Sequence, residues 1–160
     1  MRIPVSEHLI LRPATLSDAP KVSAVYLASR KTFLPFAPPA HTDEEIRQWI
    51  AGVLIPSGGV TVACVANEPV GMMAVSHDGI TGRIDQLYIH PSAIGRGIGS
   101  RLLALAMEKL GPVIRLYTFQ ANSGSRRFYE RHGFRAVAFG DGSSNEEKCP
   151  DVVYELNRTA

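Results

Sequence analysis

The sequence predicts an α/β protein with a mixed β-sheet of about six to seven strands flanked by about four helices. β-prone runs and helical periodicities follow one another in the order β-α-α-β-β-β-α-β-α-β-β, which is typical of an α/β domain. The chain has 160 residues, of which 45% are hydrophobic, enough for a substantial core. No repeat, linker or low-complexity segment divides it, so we expect residues 1–160 to form a single domain.

One strand and two helices are predicted in the first third of the chain. Leu9–Pro13 is β-prone and ends at a proline. Both helices begin at a capping box, in which a threonine precedes an acidic residue by three positions: Thr15 with Asp18, and Thr42 with Glu45. Apolar residues then recur at helical spacing, at Val22, Val25 and Tyr26 in the first helix and at Ile46, Trp49, Ile50 and Val53 in the second. The proline-rich run 33–40 between them predicts a loop.

Three strands are predicted next. Val60–Ala66 and Val70–Ser76 are β-prone, and the turn residues Asn67-Glu68-Pro69 between them indicate a hairpin. A further turn at His77-Asp78-Gly79 leads into the predicted strand Arg83–His90.

Helices and strands alternate in the rest of the chain. From Ile98, apolar residues recur on one helical face, at Leu102, Leu105, Ala106 and Leu110, before Gly111-Pro112 ends the helix. A short helix over Arg126–His132 can be capped by the polar residues 122–125 and ends at Gly133. The remaining predicted strands are Val113–Phe119, Phe134–Phe139 and Val152–Leu156, the last two separated by a polar loop.

Composition and charge argue against several classes of protein. The net charge of +2 gives no basis for a nucleic-acid surface or a membrane patch. The longest apolar runs are far shorter than a membrane span, and Met1–Glu7 lacks the apolar core of a signal peptide, so we expect a cytoplasmic protein. Cys64 and Cys149 fit no zinc motif and no disulfide framework, so we expect reduced thiols and no metal site.

A strand, a glycine loop and a helix follow one another between residues 87 and 110. The β-prone residues Leu87–Ile89 precede Pro91, which stops a strand. Glycine then occupies every second position of Gly95–Gly99, so the backbone can turn tightly and approach a ligand without an intervening Cβ. Exposed N–H groups that lead into a helix N-terminus form an anion site, most naturally for phosphates, and Arg96 and Arg101 add positive charge. The alternative is that these glycines only form a tight turn between the strand and the helix, but such a turn needs fewer glycines.

The glycine spacing distinguishes between the known phosphate loops. A P-loop requires a lysine that is missing here, and a Rossmann fingerprint requires glycine where Ser100 stands. Ile94–Gly99 instead resembles [Gln/Arg]-x-x-Gly-x-[Gly/Ala], the pyrophosphate loop of the GNAT superfamily of N-acetyltransferases, with Ile94 at the usual Gln or Arg position. Asn122–Phe134 resembles the family's Asn-x-x-Ala-x-x-Phe-Tyr-Glu-x-x-Gly-Phe segment, with Ser125 in place of alanine. Two motifs in the family's order make the resemblance specific, and it covers about residues 9–156.

This resemblance implies a mostly antiparallel sheet and the transfer of an acetyl group from acetyl-CoA to a primary amine by direct attack on the thioester. It implies that the backbone of Leu87, Tyr88 and Ile89 pairs with the pantetheine arm, and that the Ile89 N–H polarises the thioester carbonyl. The diphosphate is expected on the loop residues Gly95, Arg96, Gly97, Ile98, Gly99 and Ser100. Asn122 is expected to contact the pantetheine region and Tyr129 to protonate the leaving thiolate, since a phenol with a pKa of about 10 stays protonated at neutral pH.

The sequence offers several candidates for the general base and the acceptor site. Asp85 is the candidate base, because alternation along a strand places it on the face of Leu87 and Ile89. A water relay is the alternative, and weaker candidates are Glu130, His77, His90 and His41. Phe33 and Phe36 are candidate walls of an acceptor pocket, or else pack the first helices onto the sheet. Four acidic residues could attract a cationic amine or form a solvated face: Asp141, Glu146, Glu147 and Asp151.

Two functions of different classes follow from these residues. The first is an N-acetyltransferase with acetyl-CoA as co-substrate and a small-molecule, peptide or protein amine as acceptor. The second is a non-catalytic acyl-CoA-binding or regulatory domain on the same fold. Tyr129 favours the enzyme, since a protein that only binds acyl-CoA needs no acid for a thiolate. We also allow for a homodimer, for which the sequence predicts no interface residues.

Overall fold

The computed structural model describes residues 8–159; Met1–Glu7, in which the sequence predicts no signal peptide, and Ala160 lie outside the described residues. The described chain contains seven strands: β1 (Leu9–Pro13), β2 (Val60–Val65), β3 (Glu68–Asp78), β4 (Thr81–Ile89), β5 (Val113–Phe119), β6 (Arg135–Gly140) and β7 (Asp151–Asn157). It also contains four α-helices: α1 (Ala19–Phe33), α2 (Asp43–Trp49), α3 (Ile98–Lys109) and α4 (Ser123–Arg131). The predicted order of helices and strands is confirmed.

All seven strands belong to one sheet, in the order β1-β2-β3-β4-β5-β7-β6. Neighbouring strands run antiparallel, except that β4 and β5 are parallel. This mixed, mostly antiparallel sheet with four helices confirms the predicted fold class. No helix within residues 8–159 is long and apolar enough to cross a membrane.

Helices cover both faces of the sheet, and each face has its own core. On one face α1 packs against β2 and β3 through the residues predicted for it, Val22, Val25 and Tyr26. On the other face α3 packs against β3 and β4 through Leu102, Leu103 and Ala106. The sequence predicted Leu105 on this buried face, but Leu105 is only half-buried because the line of contact with the sheet runs closer to Leu103. The two cores fix the sheet between the helices.

The second helix departs from its predicted pattern. Its capping box is confirmed, because the Glu45 N–H donates to Thr42 Oγ1 at 3.1 Å and the Thr42 N–H donates to Glu45 Oε1 at 2.9 Å. Beyond α2, however, the chain continues into a π-helical turn over Ile50–Leu54. The wider turn rotates Val53 away from the core, so this residue is 58% exposed instead of buried.

Several predicted boundaries are also wrong, among them the turn predicted at His77-Asp78-Gly79, whose first two residues belong to β3. The first hairpin turns at Ala66 and Asn67, which both have positive φ, and β3 already begins at Glu68. α4 begins at Ser123 rather than at residue 126, because Asn122 caps it directly. Asn122 Oδ1 accepts a hydrogen bond from the Ser125 N–H, at 3.2 Å.

β4 and β5 diverge in the middle of the sheet. β4 pairs with β3 as far as Ile89, but it pairs with β5 only over Gly82–Ile84. The register between β3 and β4 shifts at Asp85, which has no residue opposite it on β3. A bulge of this kind bends a strand and increases its twist. The divergence leaves an opening between the C-terminal halves of the two parallel strands.

Candidate active site

A cleft of about 740 Å³ occupies the opening between β4 and β5 and reaches the N-termini of α3 and α4. We call it the first cleft. It is lined by most of the residues that the sequence predicts to bind acetyl-CoA: Leu87, Tyr88, Ile89, Gly95, Gly97, Ile98, Gly99, Ser100, Asn122 and Tyr129. Arg96 is not among the lining residues. Of the two candidate acceptor residues, Phe33 lines this cleft, whereas Phe36 packs edge-on against Phe119 with ring centroids 6.0 Å apart.

The glycine loop directs backbone donors into the first cleft. Gly95 and Gly97 have φ angles of 74° and 79°, a left-handed conformation that residues with a Cβ adopt only under strain. Gly97 is the N-cap of α3, and its carbonyl accepts from the Arg101 N–H, so the three N–H groups before Arg101 have no partner within the helix. Gly99 has a packing role, since a Cβ there would lie 3.3 Å from the Phe128 ring. The loop and the helix N-terminus together have the geometry that favours binding of an anion.

The diverging part of β4 turns two N–H groups away from β3. The His90 N–H donates to the Val70 carbonyl on β3, at 2.8 Å. Because successive N–H groups of a strand point to opposite sides, those of Ile89 and Leu87 point away from β3. β5 has already diverged on that side, so an extended ligand can pair with β4 as an additional strand.

Tyr129 of α4 lines the first cleft together with Leu87 and Ile89. The residue is 7% exposed, and its ring packs against Phe128, Phe134 and Tyr154 at centroid distances of 5.2, 5.6 and 6.2 Å. Its hydroxyl makes no hydrogen bond to a described residue. Since no unpartnered side-chain oxygen of the described residues is fully buried, this hydroxyl is accessible from the cleft. Burial raises the pKa of the Tyr129 phenol above its usual range, which keeps the proton in place at neutral pH.

A second cleft of about 460 Å³ adjoins the first. The two share six lining residues, namely Leu34, Leu87, Tyr88, Asn122, Ser125 and Tyr129. The side chains of Arg30, Asp85, Glu147 and Asp151, which carry charge at neutral pH, line the rest of its wall. The clefts therefore meet at Tyr129 and at the diverging residues of β4.

Asp85, the candidate base, lines the second cleft. The strict alternation from which the sequence predicts this residue is interrupted in β4, because it would place Ile84 and Leu87 on opposite faces. Both residues pack into the same core, since the bulge at Asp85 takes up one residue of the strand. The Asp85 carboxylate lies 3.7 Å from Arg83 Nε.

Comparison with known proteins identifies the family. Residues 24–134 match the model of the acetyltransferase (GNAT) family, and this span is more than half of the chain. The chain belongs to the GNAT family. It is therefore an acyltransferase that depends on acetyl-CoA, and the family acts on amine acceptors.

Individual relatives agree with this assignment. An uncharacterized N-acetyltransferase of Archaeoglobus fulgidus is 32% identical over 99 residues, which are 55% of this chain and 67% of that protein. The solution structure of apo YjaB from Escherichia coli superposes with a TM-score of 0.76 at 19% identity, over 92% of this chain and 97% of YjaB. The PaiA N-acetyltransferase of Thermoplasma acidophilum, in complex with coenzyme A, has a TM-score of 0.71 at 18% identity, over 93% and 98%. These structures share the fold.

Two side-chain arrangements hold the GNAT helix α4 in place. Asn122 Oδ1 is committed to the helix cap, which leaves its amide nitrogen for the first cleft. Farther along the helix, the Tyr154 hydroxyl donates to Glu130 Oε2 at 2.6 Å and accepts from Arg126 Nε at 3.0 Å. Since Tyr154 is fully buried on β7, this network fixes the helix that carries Tyr129.

The second cleft contains a network that the sequence analysis did not find. Arg30 of α1 donates to the Tyr88 hydroxyl at 2.9 Å and to Glu147 Oε1 at 3.2 Å. The Arg30 and Glu147 side chains are 20% and 19% exposed, and burial raises the pKa of the Tyr88 phenol. The partners lie 58 and 117 residues away from Arg30 in the sequence, and no local pattern links them. The network joins helix α1, the diverging part of β4 and the loop before β7.

The remaining candidate residues of the GNAT site have other environments. Glu130 is bonded to Tyr154, and His90 Nδ1 accepts the Ser92 N–H at 3.1 Å as a cap. His41 and Glu146 form an exposed pair at 2.9 Å, while His77 is exposed on β3. None of these five, nor Asp141, is among the lining residues of the two clefts.

Proposed function

We propose that this GNAT protein is an N-acetyltransferase that binds acetyl-CoA in the first cleft and a primary amine in the second, and transfers the acetyl group directly between them. The observation that carries the proposal is the junction at Tyr129, which lines both clefts and whose hydroxyl is not fully buried. An amine in one cleft and a thioester in the other can meet there without a covalent enzyme intermediate.

Groups along the first cleft are complementary to successive parts of acetyl-CoA. The outward N–H groups of Leu87 and Ile89 suit carbonyl oxygens of the pantetheine arm and of its thioester, so that the arm would extend the sheet beside β4. The left-handed glycines and the free N–H groups of α3 suit the diphosphate. Ile94 lines the cleft without a side-chain donor, so backbone groups would bind the diphosphate. The Asn122 amide nitrogen is free to reach the pantetheine.

The reaction follows from where protons and charge move. The neutral amine nitrogen attacks the thioester carbon, a C–N bond forms, and the carbonyl oxygen becomes an oxyanion that the Ile89 N–H stabilises. The C–S bond then breaks, and Tyr129 donates its phenolic proton to the departing sulfur. The amine loses its extra proton to Asp85, directly or through water, and Tyr129 regains a proton from solvent in the cleft.

Release of the CoA thiol, measured as a function of amine concentration with acetyl-CoA present, tests this function. We expect a saturable dependence on the amine and one acetylated amine for each thiol released. Acetyl-CoA that binds without amine-dependent thiol release, over a panel of small-molecule and peptide amines, would contradict the proposed transfer and favour a binding role.

A further inference from the structure

One carboxylate of the second cleft lacks a positive partner. Arg30 is engaged by Tyr88 and Glu147, and Asp85 lies near Arg83. Asp151 lines the same cleft half-buried, and no lysine, arginine or histidine of residues 8–159 pairs with it. A carboxylate removed from bulk water is costly unless a cation or several donors meet it.

The surroundings of Asp151 hold its carboxylate in place with neutral groups. Asn145 Nδ2 donates to Asp151 Oδ2 at 3.1 Å, and Asn145 is itself held by both backbone groups of Cys149, at 2.7 and 3.1 Å. The other oxygen, Oδ1, occupies the space that a Cβ at position 140 would fill, so Gly140 makes room for it. Gln120 Nε2 bonds the carbonyls of Gly140 and Asp151, at 2.9 and 2.8 Å, and fixes both strand ends.

We propose that Asp151 determines acceptor specificity by binding a positively charged group of the acceptor. The inference rests on the proposed function, because it requires the second cleft to hold the amine. The charge at Asp151 is not the reacting nitrogen, since an ion pair there would keep that nitrogen protonated and unreactive. The acceptor class is therefore an amine with a second cationic group, such as a diamine.

Three amines of matched length test the inference: 1,4-diaminobutane, n-butylamine and 4-aminobutanoate, whose far ends are cationic, apolar and anionic. With wild type, we expect the lowest KM for the diamine and the highest for the amino acid. In Asp151→Asn, which keeps the shape and an acceptor for Asn145, the KM of the diamine should rise about tenfold while that of butylamine is little changed.

Controls separate specificity from damage to the fold. Asp141→Asn makes the same change at the other end of the loop that leads to Asp151, outside the second cleft. There Asp141 Oδ1 accepts the Ser143 N–H at 2.9 Å, and the substitution should leave the diamine KM unchanged. Asp151→Lys should reverse the preference towards 4-aminobutanoate, which a misfolded protein would not do. Calorimetry of acetyl-CoA binding checks that the first cleft is intact in every variant.

The outcomes distinguish failure of this inference from failure of the proposed function on which it rests. A wild type that acetylates butylamine as efficiently as the diamine, or an Asp151→Asn variant that loses both equally while acetyl-CoA binding persists, would overturn the role of Asp151 alone. A wild type that binds acetyl-CoA but releases no thiol with any of the three amines or the wider amine panel would overturn the proposed function, and the inference with it.

Discussion

The two clefts that meet at Tyr129 are built from different parts of the polypeptide. The first cleft offers mainly backbone groups: the N–H groups of Leu87 and Ile89, the left-handed turns at Gly95 and Gly97, and the start of α3. The second is lined by side chains that come from segments far apart in the sequence. A cleft made of backbone needs only a short local motif, whereas a cleft made of side chains depends on how distant segments pack.

The clefts also differ in charge. Arg131 lines the first cleft, and it forms no ion pair with any described residue; the same holds for Arg96 and Arg101 around the glycine loop. The second cleft is lined by three carboxylates and one guanidinium. An anionic cofactor and a cationic acceptor would therefore be attracted to different clefts, which helps to keep each out of the wrong one.

The largest effect is expected at the junction of the clefts. Tyr129→Phe removes the proposed acid and should lower kcat by roughly 100-fold or more, while the Kd of acetyl-CoA changes little. Because burial raises the pKa of Tyr129, the wild type should lose this acid only as the pH rises above about 10. The control is Tyr117→Phe, an exposed tyrosine of the second cleft, and an equal loss in both variants would contradict the assignment.

The next largest effect concerns the backbone of the first cleft. Gly97→Glu places a strained side chain and a negative charge on the proposed diphosphate site, and should weaken acetyl-CoA binding by about 100-fold, measured by calorimetry. Gly79→Glu is the matched control, because Gly79 also has positive φ and open space around it but lies in the turn between β3 and β4. Unimpaired binding in Gly97→Glu would disprove the loop assignment.

A smaller effect is expected at the proposed base in the second cleft. Asp85→Asn should lower kcat by about tenfold, since water can still carry some of the protons, and should alter the pH dependence of the rate. Asp78→Asn is the control: both carboxylates lie within 4.0 Å of Arg83, but only Asp85 lines the cleft. A rate and pH profile identical to wild type would leave water as the route for the proton.

The smallest expected effect is tighter binding of acetyl-CoA in the first cleft. Ile94 is 52% exposed and lines that cleft, so Ile94→Arg adds a guanidinium beside the proposed diphosphate site. We expect acetyl-CoA to bind about threefold more tightly, as is usual for an exposed charge pair, and the gain should diminish at high salt. Ile80→Arg, at an exposed turn, should give no gain. Weaker binding in Ile94→Arg would mean that the diphosphate lies elsewhere.

Local signals explain what the sequence could predict. The element order follows from periodicity and caps, and the glycine loop follows from alternate glycines, because each depends on residues close in sequence. The resemblance to the two GNAT motifs, which are also local, pointed to Leu87–Ile89 and Tyr129, and these residues line the first cleft together with Gly95 and Gly97–Ser100. These features required no knowledge of which strands lie side by side.

Features that the sequence missed arise from packing between distant segments. The bulge at Asp85 becomes visible only when β4 is aligned with β3, and the Arg30–Glu147 pair joins α1 to the loop before β7. The π-helical turn that exposes Val53 replaces a regular helix that the local sequence also allows. The sequence identifies Asp151 as one acidic residue among several, but it does not predict that Asp151 has no cationic partner.

Hydrogen–deuterium exchange of the wild type, with and without acetyl-CoA, tests most directly whether the two clefts have separate tasks. Peptides that cover residues 87–100 should exchange more slowly when acetyl-CoA is present, because their free N–H groups gain acceptors from the ligand. Peptides that cover residues 141–151, beside the second cleft, should change little until an amine is added. Protection of residues 141–151 by acetyl-CoA, with none over residues 87–100, would contradict the account.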